Sequence, residues 1–188
     1  MITSGNLDRR KKYTRMVLKD SLMKLLKDKQ ISTITVKEIC ELADINRSTF
    51  YAHYSDQFDL LKQIEEELIE DLKMYLSTYN FEKEEEALQM TEKLIEYFAS
   101  NQDKCQTLLS ENSDSSFEKK VRLVARRFIM NKWVEVSQHD QDISEYVSTF
   151  IVSGSIQVLK VWLNKGMDKT PKEMAEIIIS LITRGTER

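Results

Sequence analysis

Residues Thr35–Tyr54, TVKEICELADINRSTFYAHY, decide how the chain is read. Thr35-Val-Lys-Glu38 has the form of a capping box. The threonine hydroxyl can accept from the third backbone N–H of a helix, and the glutamate can reach back to the N-cap amide. Val36, Ile39, Cys40 and Ala43 then share one helical face. Asp44-Ile45-Asn46 breaks that period: Asp tolerates the left-handed backbone of a turn, and Asn46 suits the N-cap of a second helix. In that second helix, Arg47 to His53, only Phe50 wants a core, with Tyr54 one turn on. Arg47, Ser48, Thr49, Tyr51 and His53 are left pointing outward.

A short helix with hydrogen-bonding groups clustered at its N-terminal end suits the major groove of a duplex. Arginine can take guanine O6 and N7 as a bidentate fork, and Ser or Thr can reach base edges or phosphates. The first helix would lie across the backbone and aim the second. Spacing alone fits an ordinary helical hairpin equally well.

The residue string goes further. ITVKEICELADINRSTFYAHYSDQFDLL, placed after a basic N-terminus, closely resembles the DNA-binding domain of TetR-family transcriptional regulators. The resemblance rests on Ile34-Thr35-Val36, Ile39, Ala43, Ser48-Thr49-Phe50-Tyr51 and Tyr54, and on Leu60-Leu61 in the next helix. It covers about the first sixty residues; beyond them it is one of architecture. Two positions depart from the family pattern: Asp44 stands where the family usually has Gly in the turn, and Gln57 where it commonly has a phosphate-gripping Lys. The resemblance implies a ligand-responsive regulator, most often a repressor, that binds a palindromic double-stranded DNA operator as a homodimer. Its DNA contacts would be Thr35, Lys37, Asn46, Arg47, Ser48, Thr49, Tyr51 and His53. It also implies that an effector, a small molecule of unknown identity, binds among the body helices and tilts the fourth helix, changing the separation of the heads.

Size and composition agree. A chain of 188 residues, 41% hydrophobic and 31% charged, is ordinary for a soluble globular protein. Four Gly and one Pro leave few turns for strands, so the expected class is all-α: a three-helix helix-turn-helix head over residues 1–55, then a helical regulatory and dimerisation body over 56–188, with about nine helices in all. No apolar run is expected to approach the ~18–20 residues that cross a membrane. The N-terminus lacks an apolar signal-peptide core. Two isolated cysteines, Cys40 and Cys105, form neither a disulfide framework nor a zinc pattern. The expected location is cytoplasmic, with no membrane partner and no cofactor or metal.

The net charge of −3 conceals an asymmetry. Up to Tyr54 there are eleven Lys and Arg against six Asp and Glu, while the remainder has seventeen against twenty-five. Positive charge therefore gathers where a duplex would sit. Arg9, Arg10, Lys11 and Lys12 are expected as a basic arm ahead of a first helix from Asp8 to about Asp28. The acidic runs Glu65-Glu66-Glu67 and Glu82 to Glu86 are expected to be solvated helix faces.

In the body, Asp56 can cap a long fourth helix to about Ser77, with Leu60, Leu61, Ile64, Leu68 and Leu72 inward. Helices near 83–100, 103–109 and 117–137 come next, with the loop-like ENSDSS at 111–116 between the last two. The helix from Ile143 to Lys165 is apolar on more than one face and contains the small-residue notch Ser153-Gly154-Ser155. Gly166 ends it, and Thr170-Pro171-Lys172-Glu173 opens the last helix with a second capping box. Two helices this apolar need cover, which suggests half of an intermolecular four-helix bundle. Phe150, Gly154, Val158, Trp162, Ile178, Leu181 and Ile182 are the candidate dimer contacts. Tyr75, Phe98, Phe128, Trp133, Phe150 and Trp162 are candidate walls of an effector pocket.

An enzyme is disfavoured. His53 and His139 are the two histidines, and no catalytic triad, phosphate-binding Gly loop or metal-ligand spacing accompanies them. The stronger rival is a helical interaction protein on the same scaffold, docking a protein partner instead of an operator.

Overall fold

The computed structural model describes residues 4–79, 86–133 and 141–186, with side chains over 9–79, 88–126 and 145–182. Among these it forms nine α-helices and a short 3-10 turn, and no strand, as an all-α fold requires. The elements are α1 (Ser4–Leu26), the turn Ile31–Thr33, α2 (Val36–Ala43), α3 (Arg47–Tyr51), α4 (Gln57–Ser77), α5 (Glu86–Ser100), α6 (Gln102–Leu108), α7 (Ser116–Trp133), α8 (Gln141–Asn164) and α9 (Pro171–Thr186). The chain divides into two compact units, Met1–Leu68 with Thr107–Ser116, and Ile69–Gln106 with Phe117–Arg188.

The first unit is built on the α1 stripe Leu18, Leu22 and Leu26, spaced so that each stands one turn above the last. Ile31 and Ile34, from the connection between α1 and α2, are buried with it, Ile39 comes from α2, and Leu60, Leu61 and Ile64 close the core from α4. Lys19 of α1 meets Glu67 of α4 at 2.5 Å.

Two expectations about this unit need correction. Arg9 to Lys12 are not an arm ahead of the first helix, since α1 already begins at Ser4 and carries them as exposed helical residues. The run Glu65-Glu66-Glu67 is not uniformly solvated either. Glu65 is completely buried and accepts a short hydrogen bond from the Ser116 hydroxyl. Successive helical residues point ~100° apart, so three adjacent carboxylates cannot share one face. Residues 82–85 of the second acidic run lie outside the described residues.

In the second unit α9 packs chiefly along α5, and more lightly on α8. Ile95 and Phe98 of α5, Ile151, Ile156, Leu159 and Leu163 of α8, and Met174, Ile178 and Ile182 of α9 are buried. The junction between α8 and α9 is set by local chemistry. Gly166 takes φ of 76°, its N–H donates to the Leu163 carbonyl (3.1 Å), and the Met167 N–H donates to that of Trp162 (3.0 Å). This is a Schellman closure, which satisfies carbonyls a helix end would otherwise leave bare. The second capping box then forms: the Glu173 N–H donates to the Thr170 hydroxyl (3.2 Å), and the Thr170 N–H to the Glu173 carboxylate (2.7 Å).

One α8 stretch corrects the membrane-length expectation. Glu145–Asn164 spans 20 residues at a mean hydropathy of 1.3, long and apolar enough by composition to cross a bilayer. Its buried residues Ile151, Ile156, Leu159 and Leu163 repeat at helical spacing, as in a helix lying against a protein core.

Candidate nucleic-acid interface

The capping box at α2 is present in both directions. The Glu38 N–H donates to Thr35 Oγ1 at 3.2 Å, and the Thr35 N–H donates to Glu38 Oε2 at 2.9 Å. Lys29 adds a contact of 2.6 Å to the same carboxylate. The Lys29 hydrogen bond, then those from Thr35, lowers the Glu38 pKa from 4.5 to about 2. A depressed carboxylate stabilises the folded form above its unfolded pKa. Its contribution is therefore in place above about 4.5 and lost as pH falls toward about 2.

The turn after α2 is a second Schellman closure, with Asp44 where the Gly would sit. Asp44 takes φ 53°, ψ 44°, and the Ile45 N–H reaches the Cys40 carbonyl at 3.0 Å. A left-handed L-residue costs about 1–2 kcal/mol, partly offset because glycine would lose more freedom on folding. Asp44→Gly is accordingly expected to stabilise the first unit by about 0.5–1 kcal/mol in a urea titration. A destabilised variant would mean the Asp44 carboxylate itself holds the turn. Asn46 occupies the N-cap of α3, but its side chain makes no capping hydrogen bond, contrary to the role its residue type suggests.

The five residues of α3 are held from beneath by one ring. Phe50 is fully buried, with the Tyr51 ring centroid 5.6 Å and the Tyr54 centroid 5.7 Å away. Tyr54 is buried too, and its hydroxyl finds no hydrogen-bond partner among the described residues. Burial raises the pKa of that phenol to about 12. Outward of this anchor, Thr35, Lys37, Asn46, Arg47, Ser48 and Tyr51 are exposed, and Thr49 and His53 are half-buried. Lys37 has Glu41 one turn away at 3.7 Å, a solvent-screened contact that leaves its ammonium available.

His53 brings in residues that the motif alone did not mark. Its pKa is lowered by burial, then by the positive charges of Arg15 and Lys11. The α1 cations therefore stand close enough to the far end of α3 for their field to be felt there. The one sequence signal for Arg15 is its place one turn after Lys11, on the same helical face. Gln57, at the head of α4, is half-buried, and Asp56 and Asp59 flank it. The Asp56 carboxylate accepts from the Asp59 N–H at 2.8 Å, and Asp59 from the Ser55 N–H at 3.0 Å. Two carboxylates thus take up backbone donors at the start of α4, as capping side chains do.

Four of the candidate effector walls, Tyr75, Phe98, Phe150 and Trp162, fall among the residues with described side chains. Tyr75 donates to Glu96 at 3.0 Å and packs on Tyr97 at 5.6 Å between centroids. Phe98 is buried, with its ring centroid 6.2 Å from that of Tyr97. Trp162 is buried and its indole N–H donates to the Lys169 carbonyl at 3.0 Å. Phe150, by contrast, is 79% exposed. The side chains of Phe128 and Trp133 lie outside the described residues. Among the candidate dimer contacts, Phe150, Gly154 and Leu181 are exposed, Val158 is half-buried, and Trp162, Ile178 and Ile182 are turned into the chain's own core. Among the described residues no atom lies within 4 Å of where a Cβ would stand at Gly154, while the Ser153 hydroxyl beside it accepts a hydrogen bond from the Arg122 guanidinium. Among the described residues no cluster of His, Cys, Asp or Glu could hold a metal ion.

Residues 85–184, more than half of the chain, match the family model for a transcriptional regulator C-terminal region of TetR type. The chain belongs to the TetR family of transcriptional regulators. TetR architecture extends over nearly its whole length: a TetR transcriptional regulator from Streptococcus agalactiae 2603V superposes with a TM-score of 0.74 at 24% identity, covering 96% of this chain and 99% of that one. NalD of Pseudomonas aeruginosa, the secondary repressor of the MexAB-OprM multidrug efflux pump, superposes with a TM-score of 0.64 at 15% identity, covering 94% and 97%. A stretch of 56 residues is 43% identical to YxbF, an uncharacterized HTH-type transcriptional regulator of Bacillus subtilis (strain 168). That stretch is 30% of this chain and 14% of YxbF. As a TetR-type regulator the chain is a helix-turn-helix DNA-binding protein of a family that is generally non-enzymatic.

Proposed function

We propose that this TetR-family chain is a cytoplasmic repressor that binds a palindromic operator as a homodimer and releases it when a small molecule binds the body. The observation that carries the reading is the split character of α3. One fully buried ring fixes the helix, while Arg47, Ser48 and Tyr51 face solvent beside it. In this reading residues 1–55 read DNA and residues 56–188 dimerise and respond to the effector. Arg47 and Ser48 reach base edges, with Thr49 and Asn46 beside them. Thr35, Lys37, Tyr51 and His53 grip phosphates. Lys11 and Arg15 join the phosphate contacts from α1.

A single α3 touches too few bases for tight binding, so two heads must sit about 34–36 Å apart, one helical turn of the duplex, or a multiple of it. The exposed apolar side chains Tyr146, Phe150 and Val161 of α8, and Ile177 and Leu181 of α9, favour self-association through these two helices. Phe150 belongs to that surface in this reading, which leaves Tyr75, Phe98 and Trp162 as the inner aromatics an effector would meet. The effector must bind the DNA-incompetent state more tightly; each ~1.4 kcal/mol of preference lowers operator affinity tenfold.

The test is a binding titration against duplexes selected from random sequence by the wild-type protein. Arg47→Ala is expected to lose about 1–3 kcal/mol on the selected duplex and much less on random DNA. Equal losses on both would assign Arg47 to the backbone and remove base reading from the proposal.

A further inference from the structure

Asn112 lies on the segment between α6 and α7, nearly sixty residues beyond the helix-turn-helix, yet it is bonded into the first unit. Its side-chain amide donates to the carbonyls of Leu26 (3.1 Å) and Lys27 (3.2 Å). Its own backbone carbonyl accepts from the Ile31 N–H at 2.8 Å. Leu26 is the last residue of α1, and Ile31 opens the turn that leads into α2. The final carbonyls of a helix have no partner within it, so a donor from elsewhere decides which way the chain leaves. One residue therefore bridges both ends of the connection between α1 and α2. Four residues on, the Ser116 hydroxyl donates to the buried Glu65 carboxylate of α4, fastening the same segment a second time.

We propose that Asn112 is a positioning residue for DNA recognition, pinning the α1–α2 connection and through it the angle at which α3 is offered to the duplex. The DNA-reading unit is then residues 1–55 completed by Thr107–Ser116, and not the N-terminal stretch alone. This rests on the DNA-binding reading above. Asn112 touches no duplex itself. It acts on α2, which is held at one end by Thr35 and Glu38 and at the other by the Asp44 turn, so that a change at residues 27–31 moves α2 and α3 as one piece. Along the chain the pin lies between α6 and α7.

The test uses the full chain carrying Asn112→Ala, Asn112→Asp or Asn112→Gln. Two readouts are taken: affinity for a duplex selected from random sequence by the wild type and for an unselected duplex, and amide hydrogen exchange without DNA. Asn112→Ala is expected to weaken the selected duplex about tenfold while changing the unselected one less than about twofold, because the latter depends on phosphate charge. Asn112→Asp should lose more, since a carboxylate would face two carbonyls at the negative end of α1. Asn112→Gln, which keeps the donor, should recover most of the affinity. Exchange should quicken over residues 31–51 in the alanine and aspartate variants and stay unchanged in α5 and α9. Unchanged exchange over 31–51 overturns the pin whatever the DNA result. Equal losses on both duplexes overturn it too, because they would mean a damaged fold instead of a misaimed helix. If the wild type selects no duplex while exchange still responds, the DNA reading falls, and positioning for recognition falls with it.

Discussion

Lysine at Phe150 and Leu181 together is expected to leave the protein monomeric and to weaken operator binding by about 10²–10⁴-fold, the factor by which two linked sites exceed one. The two side chains are 79% and 62% exposed in the single chain, so neither contributes much to its own core. Lysine at these points should therefore be tolerated by the monomer fold, its stem lying along the surface and its ammonium in water. The same ammonium on a surface that must be dried against its two-fold mate is costly to bury. Each apolar side chain removed also withdraws about 1.5–3 kcal/mol of burial per copy, and symmetry doubles the loss. Sedimentation and the DNA titration should move together. The useful contrast is Ile178→Lys, at a buried α9 position that packs inside the chain, which should unfold the second unit instead of splitting a dimer. A double-lysine protein that still sediments as a dimer would move the interface off α8 and α9. One that is monomeric yet binds as tightly as before would remove the need for two heads.

How much of this could be read without coordinates depended on how far apart the interacting groups stand in the chain. Thr35 with Glu38 and Thr170 with Glu173 are three residues apart, and both capping boxes form as their spacing required. Gly166 and Asp44 take left-handed backbone because their residue types permit it, and a closing turn demands it. Phe50 and Tyr54 are four residues apart, one helical turn, and both are buried as that spacing required. The failures share a different cause. Glu65 is buried because Ser116, 51 positions away, meets it, and nothing in a run of three glutamates marks which one turns inward. The Asn112 contact to Leu26 spans 86 positions, beyond any periodicity. Arg9 to Lys12 read as a free arm because four adjacent cations carry no apolar period, although no stop or cap separates them from the helix that includes them. The apolar excess of α8 was visible, but the faces that stay exposed could be assigned only once α9 had been seen to pack chiefly along α5.

Phe50→Ala should cost about 3–5 kcal/mol, the usual result of emptying a buried aromatic site. Phe50 is wholly enclosed, and the rings of Tyr51 and Tyr54 lie beside it, at 5.6 and 5.7 Å between centroids. Removing it leaves a void that neither tyrosine can fill without giving up its own position: Tyr51 points to solvent, and Tyr54 is already buried. A helix of five residues has no stability of its own, since isolated helices below ~12–15 residues are marginal in water. Its conformation is therefore supplied by the ring beneath it. For a small unit, a loss of this size is comparable with the whole margin of a folded domain, which is only about 5–15 kcal/mol. The expected phenotype is thus a protein that keeps the helices of its second unit, has lost ordered structure around residues 35–54, and binds neither selected nor random DNA well. Phe50→Leu keeps most of the volume and should cost about 1–1.5 kcal/mol, with DNA binding largely retained. Circular dichroism melts of the two variants, read beside amide exchange over residues 35–54, separate the outcomes. If Phe50→Ala binds its operator with near-normal affinity, α3 must be ordered by the duplex itself, and the buried ring is a lesser anchor than its complete enclosure implies.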